Sequence, residues 1–245
     1  MRFPRFSSVT LVLLLITLSS CSSRPQMGFK TPPPDDKAYV ILGTGYRTIQ
    51  ADDISGQEKI NIIAGPLDLD SDFFTTSNIE FRRIDPETGK SIPRPKFTPK
   101  DPNGIFSSIG VEQGKFVHET DRTNFNRTTY WILEVNAGKF HLFRQFFQKG
   151  KKNIYIQAVK NDQIMKGSPV FEILPGETAY IGDWLVAQGT FLSIKYPELS
   201  GQAQAGKLYL AHTKNVDRMS KALSGQGDVT KVRVVPIHEY TPASN

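Results

Sequence analysis

From residue 38 onward the hydrophobic positions fall into short runs, rich in β-branched and aromatic residues and separated by turn formers, which is the signature of strands. The runs are 38–42, 79–84, 115–119, 128–135, 139–147, 153–160, 170–174, 178–186 and 190–196. Within Tyr130-Trp131-Ile132-Leu133-Glu134-Val135, side chains two apart share a face, so Trp131, Leu133 and Val135 form one apolar stripe. Asn136-Ala137-Gly138-Lys139 follows as a turn before Phe140, and a β-hairpin is the simplest local reading. A second hairpin is expected at Leu174-Pro175-Gly176-Glu177, where Pro175 presets one turn position and Gly176 supplies the positive φ of a type II turn. Strands at this spacing predict a mainly β domain, an antiparallel β-sandwich or partly open barrel.

Two segments depart from that pattern. Residues 85–104 hold Pro86, Pro93, Pro95, Pro99 and Pro102 with little periodicity, and predict a long excursion from the sheet and a candidate partner surface. Val216, Met219, Ala222 and Leu223 recur at near-helical spacing between Asn215, a suitable N-cap, and Gly225, a suitable stop, predicting one short C-terminal helix packed on the sheet. Residues 229–240 return to strand character, and the terminal Thr-Pro-Ala-Ser-Asn is expected to fray. The triplets at Gly114, Gly138 and Gly206, each Gly-Lys followed by an apolar residue, mark turns entering strands and not a duplication.

The amino-terminal pattern is different in kind. Arg2 and Arg5 precede an apolar run over 9–18, interrupted by Thr10 and Thr17, and small residues Ser19 and Ser20 follow. This is the order of a secretory signal peptide, and the run is shorter than the roughly 20 residues of a spanning helix. Leu18-Ser19-Ser20-Cys21 resembles the lipobox of bacterial lipoproteins. That resemblance implies cleavage before Cys21 and a diacylglyceryl thioether on its sulfur, joined in many bacteria by an amide-linked third acyl chain. Several chains make attachment effectively stable, since each buried methylene contributes about 0.8 kcal/mol. Cys21 is the sole cysteine, so it has no partner for an internal disulfide. By the same resemblance Ser22 is not an inner-membrane retention signal, which favours the outer membrane of the cell envelope. Residues 22–36 are Ser-, Arg- and Pro-rich, ending in Pro32-Pro33-Pro34, and read as an extended spacer. The expected organisation is a signal peptide at 1–20, a lipidated cysteine and tether at 21–37, and a single domain over 38–245.

Within the body, the turn and strand over 137–142 together with 171–183 resemble small β-sandwich domains of uncharacterised bacterial lipoproteins. That resemblance implies a fold and carries no catalytic residues. Composition agrees with one ordinary core: 38% of residues are hydrophobic, with 16 Phe, 8 Tyr and 2 Trp. The formal charge of +6 falls to +4 once Arg2 and Arg5 are removed, leaving 28 basic and 24 acidic residues. The bases are scattered rather than arrayed in a stripe with stacking aromatics, so nucleic acid is not an expected partner.

Candidate chemistry is sparse. The four histidines, His118, His141, His212 and His238, show no metal-motif spacing, and neither a Gly-x-Ser-x-Gly elbow nor a phosphate-binding loop occurs. No cofactor or metal is expected. The aromatic residues Phe143, Tyr180 and Trp184 chiefly suit core packing, with an exposed remainder as the candidate binding surface. Two classes of function follow. The first is a lipid-anchored, noncatalytic envelope protein that binds an envelope protein or cell-wall glycan through its β-domain. The alternative is a lipid-anchored periplasmic hydrolase whose site gathers distant groups such as His118, Asp121, His141, Asp183, His212 and His238.

Overall fold

A computed structural model describes residue 29 and residues 32–48, 58–67, 76–93, 108–113, 127–149, 152–160 and 163–242. The expected signal peptide, Cys21, most of the expected tether, the expected strand 115–119 with His118, Asp121 and residues 94–104 of the proline-rich segment lie outside the described residues.

Two sheets face each other. Sheet one runs in the order β2 (Ile60–Leu67), β12 (Leu208–Thr213), β11 (Thr178–Gln188), β1 (Lys37–Arg47), β5 (Thr128–Asn136), and β13 (Arg233–Val234) also pairs with β11. Sheet two runs β14 (His238–Glu239), β10 (Pro169–Ile173), β6 (Gly138–Lys149), β3 (Thr76–Arg83), β4 (Ser108–Gln113), with β7 (Lys152–Gln157) on the far half of β6. A small ribbon pairs β8 (Val159–Lys160) with β9 (Gln163–Ile164). Most pairings are antiparallel, but β1 and β13 each run parallel to β11. The mainly β sandwich expected from the strand pattern is the observed architecture.

The interior is filled from both sides. Val40, Leu42, Leu133, Val135, Ile181, Trp184 and Leu210 of sheet one meet Ile79, Phe81, Ile109, Phe140, Leu142, Phe171 and Ile173 of sheet two. Phe81 packs edge-on to Trp184 with ring centroids 4.9 Å apart, and Phe140 stacks on Phe171 at 5.8 Å. Trp131, the outermost member of the predicted stripe, packs against this cluster and donates its indole N–H to Thr44 Oγ1 at 2.8 Å.

Both predicted hairpins are corrected. β5 pairs with β1 and β6 with β10, β3 and β7, so residues 136–138 carry the chain from one sheet to the other. Residues 174–177 do the same between β10 and β11. The turn chemistry is as expected, with Gly176 at φ 72°. What decides against hairpins is burial: Val135 and Phe140 both fill the one interior, as do Ile173 and Ala179, and they reach it from opposite sheets. β2, β4 and β9 have no counterpart among the predicted strands, and β12 is signalled only by the Gly206 turn that enters it.

The predicted strand 190–196 is a helix, α1 (Gly189–Lys195), running into a 3₁₀ turn at Pro197–Leu199. Its β-favouring residues are overridden by packing. Phe191, Leu192, Tyr196 and Leu199, at helical spacing, seal the outer face of sheet one over Leu185, Ala187, Tyr209 and Ala211, while Ile194 points to solvent. The C-terminal helix is found as expected: α2 (Val216–Ala222) begins at Asn215, whose side chain accepts from Arg218 N at 2.8 Å, and Gly225 turns the chain away at φ 84°. Met219 and Leu223 cover Tyr39, Ile41, Tyr130, Ile132 and Tyr180. Sheet one is therefore buried on both faces, which explains why β11 and β12 read as almost unbroken apolar runs.

Phe29 belongs to this outer layer. It is 7% exposed, bridges to Gly227, and donates its backbone N–H to the Gln226 carbonyl at 3.1 Å. The chain thus engages the domain at Phe29, ahead of Pro32-Pro33-Pro34.

Candidate functional site

Along one side the sandwich is drawn together where β4 and β5 approach each other. The opposite side lies between the β2–β12 edge of sheet one and the β14–β10 edge of sheet two, and a groove of about 560 Å³ opens there. Its lining includes Lys59, Asn61, Ile63, His212, Lys214 and Glu239.

Strand alternation places these side chains. Asn61 is opposite His212 and Ile60 opposite Thr213, and Lys59 and Lys214 immediately flank these strand ends. Leu210 and Ile63 pack into the interior, whereas Ile60 and Ala211 pack outward beneath α1. Two-residue periodicity puts Lys59, Asn61, His212 and Lys214 on the interior-facing side, at the mouth of the sandwich. Thr213 Oγ1 donates to the Lys59 carbonyl at 2.8 Å and ties the two strand ends together. Sequence reasoning missed Lys59, Asn61 and Lys214 because β2 was not recognised; the polar-apolar alternation from Lys59 to Ile62 was the available signal.

His212 is held rigidly. Its ring lies 4.7 Å from that of Trp184, and Nε2 donates to the Ile181 carbonyl at 3.2 Å, leaving Nδ1 as the acceptor of a neutral imidazole. Burial pulls its pKa down to about 4. The ring also packs on Gly182, at φ 88°, where a Cβ would strike it. The irregularity there, opposite Ile41 and Gly43 of β1, turns Trp184 inward and Asp183 outward.

Asp183 consequently joins a separate cluster beneath α2. Its Oδ1 accepts from Tyr180 Oη at 2.7 Å, its Oδ2 accepts from Tyr130 Oη at 3.2 Å, and Arg218 donates to it as well. Arg218 also makes a two-pronged contact with Glu58, at 2.9 and 2.7 Å. Burial raises the Asp183 pKa despite Arg218, and burial followed by the nearby Asp183 charge raises those of Tyr130 and Tyr180. The Asp183 and Glu58 side chains are 0% and 1% exposed, so this network fastens α2 to the sheet and offers no surface to a substrate.

The sequence candidates therefore separate. Tyr180 and Trp184 are fully buried and do not form a binding surface; both fill the apolar layers. Phe143 is half-buried on the outer side of sheet two, with the Arg82 guanidinium 3.3 Å above its ring. His141 is enclosed between the Leu142 carbonyl and Ser91 Oγ, each at 2.8 Å, with its pKa lowered to about 4 by burial. His212 and His238 do line one groove, but Asp183 lies on the other face of sheet one. Among the described residues no three His, Cys, Asp or Glu side chains gather as a metal site, and no helix is long and apolar enough to cross a membrane.

No protein-family model, curated protein or solved structure matches the chain.

A second groove, of about 760 Å³, lies on the other side of β14 and contains Arg83, whose buried Nε has no hydrogen-bond partner. Asp85, Glu172 and Glu239 line it too, so its charges are mixed. The first groove sets two lysines against one carboxylate.

Proposed function

We propose that the chain is a lipid-anchored, noncatalytic protein of the cell envelope, cleaved before Cys21 and held, in the outer membrane, by acyl chains on that residue. Its β-domain binds another envelope component through the groove between β2 and β14. The observation that carries the binding reading is the row Lys59, Asn61, His212 and Lys214. A sandwich that needed only a core would place apolar residues at those inward positions. Catalysis is the weaker reading, because His212 is neutral and already committed to Ile181 while the nearest candidate acid on its strand neighbour faces the opposite layer.

The docking of Phe29 bears on how the domain is presented. Seven residues, 22–28, separate Cys21 from Phe29. At roughly 3 Å per extended residue, that allows a reach of about 25 Å and holds the outer helical layer near the bilayer.

The test is photocrosslinking in intact cells from residue 61, with a benzoylphenylalanine replacing Asn61, and a control carrying it at exposed Ile194 on α1. A discrete adduct from position 61 and not from position 194 is expected. The same adduct from both positions, or none from position 61, would refute binding at the groove.

A further inference from the structure

We propose that the groove between β2 and β14 is an oxyanion site, in which Lys59 and Lys214 together hold a phosphate or carboxylate group of the bound component. This rests on the binding reading above and adds its chemistry.

Lys59 and Lys214 immediately flank the last cross-strand pair of β2 and β12, Ile60 with Thr213, and both line the groove. Two ammonium groups sharing one groove repel each other, and an anion between them relieves that repulsion. Among the described residues neither ammonium makes an ion pair, although many cations of this chain do: Lys37 with Glu134 at 2.7 Å, Arg144 with Glu80 at 2.9 Å, and Arg233 with Glu177 at 2.5 Å. Glu239 lines the same groove, and among the described residues it forms no ion pair with either lysine. Burial lowers the Lys214 pKa, with no carboxylate opposing that effect. Ile63, Ile237 and Pro169 also line the groove, and their apolar surface strengthens the attraction between an ammonium and an entering anion.

The neighbouring titratable groups fit this assignment. His212 is neutral at physiological pH and contributes no charge, while its fixed ring forms a wall. His238 and Glu239, on β14 at the edge of sheet two, line the same groove. Asn61, two residues along from Lys59 and paired with His212, lines the same groove and supplies an amide N–H₂ donor that suits either oxyanion.

The experiment uses the full chain in detergent, with its lysines reductively methylated with ¹³C, a change that keeps the positive charge. Lys59→Arg and Lys214→Arg assign the two resonances. Inorganic phosphate and glucuronate are titrated separately at constant ionic strength set with chloride. Saturable displacement of the Lys59 and Lys214 signals by either probe, with the exposed Lys195 and Lys231 unmoved, is expected. Which probe saturates tells whether phosphate or carboxylate is preferred. Lys59→Gln or Lys214→Gln should each weaken binding about tenfold, as loss of one charge-assisted hydrogen bond implies. Both lysines are exposed, so these variants retain the fold. No saturable displacement by either probe, or equal displacement of all four lysines, would overturn the oxyanion site. If an adduct from position 61 still formed in that case, groove binding would stand and only its anionic chemistry would fall.

Discussion

Replacing Arg218 with Met should be among the most damaging single changes in the outer layer. The Arg218 side chain is 13% exposed and neutralises two carboxylates that are almost wholly enclosed, Glu58 and Asp183. Methionine fills a similar volume but leaves both acids without their counter-charge. Breaking such a buried pair from one side costs about 3–5 kcal/mol. With a urea dependence of roughly 2–3 kcal/mol per molar, the unfolding midpoint should fall by ~1–2 M. The pH dependence supplies an internal check. Burial holds the folded-state pKa of Asp183 above its unfolded value, so its ionisation opposes folding increasingly as pH rises through the carboxylate range. Arg218 limits that penalty, and its removal should therefore hurt most at neutral pH and less on acidification. The triple variant Glu58→Gln, Asp183→Asn, Arg218→Met should recover at least half of the loss. Equilibrium urea unfolding followed by tryptophan fluorescence measures all three chains. A fall of under ~0.3 M for Arg218→Met would place the contact with exposed surface pairs, whose worth is about 0–1 kcal/mol, and refute the network's role.

Three further outcomes follow from named contacts. His141 and His212 both titrate near pH 4 in the fold and near 6.5 when unfolded, so their stabilisation is complete above about pH 6.5 and is lost as pH falls toward 4; a urea midpoint that stays flat from pH 7 to 5 would contradict this. Gly43→Ala should destabilise by about 1–3 kcal/mol, because its Cβ would meet the Asp183 carboxylate and Thr128; unchanged thermal unfolding would count against the packing described. Phe29→Ala should cost about 3 kcal/mol and speed proteolysis between residues 24 and 30, and equal cleavage rates in the two chains would show that Phe29 is not docked.

The strand pattern, the Asn215 cap and the Gly176 turn were legible because each rests on local chemistry, namely alternation, a side-chain acceptor and a positive φ. Which sheet each strand joins was not. Asn136-Ala137-Gly138 serves equally to reverse a chain within one sheet or to carry it across to another, and only the shared burial of Val135 and Phe140 decides. α1 was misread because Thr190, Phe191 and Ile194 favour strands locally, while Phe191, Leu192 and Tyr196 are needed on one helical face over Tyr209. Tyr180 and Trp184 were ambiguous for a related reason. A sheet covered on both sides buries both sets of alternating residues, so neither is left for a surface. His212 and His238 were visible as candidates, but their shared groove depends on the distant edges of two sheets, and Lys59 and Lys214 become neighbours only through the pairing of β2 with β12.

The proposed anchoring can be tested by the intact mass of the chain recovered from the membrane fraction of a Gram-negative host, together with its amino-terminal peptide. Loss of residues 1–20 and addition of a diacylglyceryl group to Cys21 are predicted, with both changes absent from Cys21→Ala. A membrane-bound chain that keeps residues 1–20, or one that begins at Cys21 with an unmodified thiol, would contradict the account.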